Sequence, residues 1–237
     1  MSAVRFSAVI RFFLMTILAV TALFATSMSA QTSELFPEVD ANVNLNPTVR
    51  LGAQVKRTRE NGENAQVEFG GSIDFQLKPL VKLKEITEHD LNTSKSRLLS
   101  LTIGFHRLDS KDSTAPVNRV FMEATPNFPL KGAFHLSDRN RGELNFSNGA
   151  LTWRYRNKIS IQRTVRLGRF HPSPYVSSEF FYDSKYGKWS NTYLQAGVIL
   201  PVFKHLQITP YYEHQNNTGK RPNQQVNALG IILDLNF

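Results

Sequence analysis

Between Leu151 and Arg166 the chain reads LTWRYRNKISIQRTVR, and apolar and polar positions alternate almost without a break. Leu151, Trp153, Tyr155, Ile159, Ile161 and Val165 share one parity, with Asn157 and Arg163 among them. Thr152, Arg154, Arg156, Lys158, Ser160, Gln162, Thr164 and Arg166 share the other. Side chains of a β-strand point alternately to opposite faces, so this stretch predicts a strand with one apolar and one charged face. It is far longer than the usual strand of about 5–6 residues, and a tilted strand that crosses a bilayer needs about 9–11.

The same alternation recurs along the chain and predicts strands over residues 36–45, 49–56, 66–77, 99–105, 119–124, 130–136, 141–146, 151–166, 175–183, 192–200, 206–214 and 226–237. Asn46-Pro47, the Asn61-Gly62 pair, Asp138-Arg139-Asn140 and Ser147-Asn148-Gly149 read as turns between them, and no helical period intervenes. Segments of about ten alternating residues separated by turns predict an all-β fold, a closed antiparallel transmembrane β-barrel of about twelve strands. Ten remain if the first segment lies outside the wall. Bacterial barrels have even strand numbers and short periplasmic turns. Keeping the weak strand at 130–136 therefore sets both termini at one end and the long connection 79–95 at the other.

Targeting agrees with an envelope protein. Arg5 and Arg11 precede an apolar run from Phe12 to Phe24, then small residues around Ser27, Ser29 and Ala30. This predicts a signal peptide over residues 1–30, cut near Ser29 or Ala30, and a barrel domain over 31–237. The expected location is the cell outer membrane, with its lipid as one partner. The chain stops at Phe237, on the same parity as Leu229, Ile231, Leu233 and Leu235. Leu233, Leu235 and Phe237 are read as the assembly signal for the barrel-insertion machinery.

Six stretches, EATPNFPL (123–130), SDRNR (137–141), WRYRN (153–157), EFFYDSKY (179–186), YYEHQNN (211–217) and VNALG (226–230), appear in order along most of the mature chain. In these the sequence resembles the bacterial domain of unknown function 2490 family. That resemblance implies an exported outer-membrane barrel. It implies no activity and carries over no catalytic residue.

Composition narrows the chemistry. The net charge is +9, yet no run of five cations and no nucleic-acid motif occurs, so nucleic acid is not an expected partner. There are no cysteines, which removes disulfides and thiolate sites. The histidines, His89, His106, His135, His171, His205 and His214, lack metal-ligand spacing and read as loop or rim residues; neither cofactor nor metal is expected. Ser147 stands two residues after Asn145, where an outer-membrane phospholipase would place histidine, so no enzyme is predicted. Tyr175, Tyr182, Tyr186, Trp189, Tyr211 and Tyr212 lie near predicted strand ends and suit interfacial girdles.

The candidate site is the inward row. By strand parity it holds Arg50, Lys56, Arg119, Arg141, Arg154, Arg156 and Lys158, faced by Glu68, Asp74, Glu123, Glu143, Glu179, Asp183, Glu213 and Asp234. Two readings stay open. One is a pore lining that passes small polar solutes, with Arg154, Arg156 and Lys158 as one wall. The other is a packed network of ion pairs that closes the lumen of a structural barrel, with loops 79–95 and 218–225 meeting envelope partners.

Overall fold

The computed structural model describes residues 32–60, 63–77, 99–111, 115–168, 170–219 and 223–237. In them the alternating segments form eleven strands. These are β1 (Thr32–Asn44), β2 (Val49–Glu60), β3 (Glu63–Leu77), β4 (Leu99–Ser110), β5 (Val117–Leu130), β6 (Phe134–Ser147), β7 (Ala150–Arg163), β8 (Ser173–Asp183), β9 (Lys188–Phe203), β10 (Leu206–Asn217) and β11 (Gln224–Asn236). Each pairs with its sequence neighbours and β1 pairs with β11, so the sheet closes into a barrel. Closure leaves no strand edge with unpaired N–H and C=O groups. The signal peptide expected over 1–30 and the connection 79–95 lie outside the described residues.

The count corrects the expected twelve, and the reason is local. Sequence pattern gave three short strands between 119 and 146; the chain forms two long ones, β5 and β6, joined by a 3-10 turn at Lys131–Ala133. The supposed turn at Asp138–Asn140 is extended backbone inside β6. Pro126 and Pro129 lie inside β5 although proline cannot donate to a ladder. The barrel accommodates Pro126 by a lapse: β5–β6 pairing passes from Ala124↔Asn140 directly to Asn127↔Ser137.

An odd number of strands changes the closure. Hairpin-connected strands alternate in direction, so the first and the eleventh run the same way. The seam is accordingly parallel, in register from Thr32↔Val226 to Asn42↔Asn236, and the expected all-antiparallel sheet becomes a mixed one. Thr32 and Phe237 therefore sit at opposite ends of the wall. β3 ends at the Phe237 end, opposite Thr32, so the expected arrangement fails at the C-terminus, which does not share an end with Thr32.

Parity sorts the two surfaces. Outward positions carry Met122 (64% exposed), Leu229, Leu194, Trp153, Trp189, Ile103 and Ile159, all large and all facing out. Trp153, Tyr155, Tyr182 and Trp189 form a contiguous aromatic group near the Thr32 end of β7–β9. No helix among the described residues is long and apolar enough to cross a membrane. Inward positions carry most of the charges, with an apolar region at the seam. There Phe36, Tyr211 and Ala228 are buried together, with Tyr175 and Ile232 against them. Tyr211 lies opposite Gly230 on β11 and Gly197 on β9. A Cβ at Gly230 would fall inside the Tyr211 ring, so glycine there makes room for the aromatic side chain. Tyr175 and Tyr211 thus belong to the interior and not to a girdle.

Candidate functional site

An eleven-stranded wall encloses more space than the roughly eight strands whose interior short side chains can fill. Long side chains must reach inward to fill it, and β5–β8 supply them. Arg156 of β7 donates from Nε to Glu179 Oε1 at 2.8 Å and from Nη1 to Glu143 Oε1 at 2.9 Å. Arg139 Nη2 donates to the same Glu179 oxygen at 2.6 Å, and Arg141 Nη2 meets Glu123 Oε2 at 2.8 Å. Two longer contacts complete the circuit, Arg139 Nε to Glu123 at 3.7 Å and Arg141 Nη1 to Glu143 at 3.9 Å. Arg156, Glu179, Arg139, Glu123, Arg141 and Glu143 thus alternate in sign around a closed ring. Four contacts are short, and both long ones involve the β6 arginines.

The ring extends sideways. Arg119 Nε lies 3.4 Å from Glu143 and its Nη1 lies 3.3 Å from Glu68, on β3. His106 Nδ1 completes this arm 2.6 Å from the same Glu68 oxygen. Aromatic faces support two of the guanidinium groups: Arg156 lies over Phe181 and Arg141 over Phe121. The carboxyl side chain of Glu143, shared by Arg119, Arg141 and Arg156, has no exposed surface. Lys158 Nζ reaches past β8 to Gln195 of β9 at 2.9 Å. Arg119 of β5 likewise reaches past β4 to Glu68 of β3, and Arg139 of β6 past β7 to Glu179 of β8.

The remaining inward residues sit around this centre. Arg50 pairs with Asp74 at 2.7 Å near the Phe237 end, and Thr102 donates to Asp74 there. Arg154 pairs with Asp183 at 2.8 Å, Lys56 with Glu38 at 3.7 Å, and Gln215 donates to Glu213 at 2.7 Å. Asp234 stands beside Asp40 across the seam. The Phe237 half of the lumen contains a cavity of about 310 Å³, lined by Asn42, Arg50, Asp74 and Thr102 and limited inward by Glu123 and Arg141. No group of three or more His, Asp or Glu among the described residues is arranged to hold a metal ion.

Sequence reasoning missed three members. Arg139 was assigned to a turn that does not exist. His106 is no rim residue; at 4% exposure it is buried beside Glu68, and the parity of Leu101, Ile103 and Phe105 already pointed it inward. Glu38 shares the parity of Asp40 and Asn42, one step before them, and pairs with Lys56. Leu233, Leu235 and Phe237 lie on the outward parity of the last strand. Phe237 stacks on His205, and its backbone bonds to Asn42 and Asn44 of β1, continuing the seam.

Residues 34–226 match the family model described as Protein of unknown function (DUF2490). The chain belongs to that family. The match runs from β1 into the start of β11, so it takes in the whole ring and all but the last part of the wall. No curated protein matches this DUF2490 chain.

Proposed function

We propose that this DUF2490 protein is an outer-membrane barrel whose lumen is closed at rest by the Arg–Glu ring. The observation that carries the reading is Arg156, held at once by Glu143 and Glu179 in the interior. A strongly ion-selective pore would present an excess of one sign to a water-filled path; here the ring neutralises itself, and its acids are almost free of solvent contact. The apolar outward row supports a lipid environment, because a soluble barrel would expose that entire surface to water. Such a barrel acts through its ends and outer face, with neither cofactor nor catalytic group.

A second reading keeps passage of small polar solutes. The cavity at the Phe237 end is lined by polar residues as far as Glu123 and Arg141, and opening the ring would extend it toward the Thr32 end. Planar-bilayer recording separates the two. The wild type is expected to pass no steady current, and Arg139→Ala with Arg156→Ala to open one. A wild type that conducts, with Arg156→Ala shifting its preference toward cations, would make the arginines a filter and overturn the closed reading. Fractionation with a boiled-versus-unboiled gel shift tests the location. Recovery of the folded protein in the soluble fraction without detergent would end the membrane assignment.

A further inference from the structure

Half-way along β6 and β7 the apolar outward row is interrupted by a cluster of polar residues. There Asp138, Asn140 and Gly142 face outward from β6, beside Tyr155 and Asn157 of β7, with Ser178 of β8 next to them. Apolar residues bound this patch toward both ends: Phe134, Leu136, Ile159 and Ile161 on one side, Leu144, Phe146, Leu151 and Trp153 on the other. Side chains at this height face the hydrocarbon if the apolar row faces lipid, and polar groups there are costly and mark function.

The patch is bonded, but not completely. Asn157 Nδ2 donates to Asp138 Oδ1 at 2.6 Å and to Asn140 Oδ1 at 3.1 Å. Tyr155 donates to Asn140 Oδ1 at 2.6 Å, and Asn140 Nδ2 donates one hydrogen to the Asp138 carbonyl at 3.3 Å. Among the described residues this leaves one amide hydrogen of Asn140 to donate, with Asn157 Oδ1 and Asp138 Oδ2 to accept. A donor and an acceptor on adjacent strands at the same level, Asn140↔Asn157, are self-complementary about a twofold axis. Space is available as well. A Cβ at Gly142 would meet nothing within 4 Å, and Ala124 is the small neighbour of Asn140 on β5. Small residues beside polar ones are what allow two membrane surfaces to approach closely.

We propose that the outer face of β5–β7 is the contact surface for a second copy of this chain in the membrane. The copies face each other about a twofold axis along the membrane normal, each Asn140 donating to Asn157 of the other and the Gly142 notches facing each other. This inference rests on the membrane assignment above and is independent of whether the lumen is closed.

The absence of cysteine makes the test clean, since one introduced thiol is unique. Met122→Cys, next to Gly142 on the outward face, is to be treated in isolated membranes with a short thiol-to-thiol crosslinker. Leu229→Cys, on the distant β11 face, is the control for random collision. Dimers of the chain from Met122→Cys and none from Leu229→Cys are expected. Asn140→Ala in the Met122→Cys background should lower the dimer yield about tenfold, the scale set by losing a reciprocal pair of buried hydrogen bonds. Gly142→Trp, at a position where a Cβ meets nothing within 4 Å, should abolish the dimer while the gel shift shows a folded barrel. Absence of dimer from membrane-located Met122→Cys, equal yields at both sites, or a crosslink only to another protein each overturns the proposal. Recovery in the soluble fraction overturns the membrane assignment instead.

Discussion

Two interior regions of the barrel are filled by opposite means. On β5–β8 the space is occupied by arginines and glutamates that neutralise one another; at the β10–β11–β1 seam it is occupied by Phe36, Tyr211 and Ala228. The charged region is specified by partners. Each guanidinium needs carboxylates at fixed positions one or two strands away, and register supplies them. The seam is specified by shape, since Tyr211 fits only because Gly230 and Gly197 have no side chains. The contrast teaches that buried charge tolerates distance but not deletion, whereas a packed aromatic tolerates deletion of a neighbour but not addition.

Deletion within the ring has the largest expected effect. Glu143→Ala would leave Arg119, Arg141 and Arg156 short of a shared carboxylate inside the barrel. Breaking a buried pair by removing one partner costs about 3–5 kcal/mol. The urea midpoint of the detergent-folded barrel, followed by tryptophan fluorescence, should fall accordingly. An unchanged midpoint would mean that water replaces Glu143, and the two regions would not differ in kind.

Addition at the seam comes next. Gly230→Ala drives a methyl group into the Tyr211 ring, and overpacking of this sort costs about 1–3 kcal/mol. Tyr211→Leu in the same chain should recover part of that loss in the same titration. If the double variant is no better than Gly230→Ala alone, the glycine serves the backbone and not the aromatic side chain.

The smallest effect is expected at the Phe237 end. Arg50 is one-third exposed although its contact with Asp74 is as short as those in the ring. Exposed pairs contribute about 0–1 kcal/mol, so Arg50→Ala should change the midpoint little. Raising salt should reduce even that difference. A loss as large as that of Glu143→Ala would show that burial is not what separates the two groups of ion pairs.

Alternation alone determined the strand class, the inward and outward rows and the charged lining, because side-chain parity is fixed by backbone geometry and needs no long-range information. It identified both partners of Arg156 and of Arg119 as inward residues without knowing that they meet. Strand number was decided by the tertiary structure. Asp138-Arg139-Asn140 reads as a turn, so 119–146 divides into three pieces; closure of the wall holds 134–147 extended as one strand. The same decision set the parallel seam, placed Arg139 in the ring and put Asp138 and Asn140 on the outer face. The reason is physical: a ring of ion pairs and a barrel circumference are properties of strands brought side by side, and a one-dimensional pattern records which face a residue takes but not what stands opposite it.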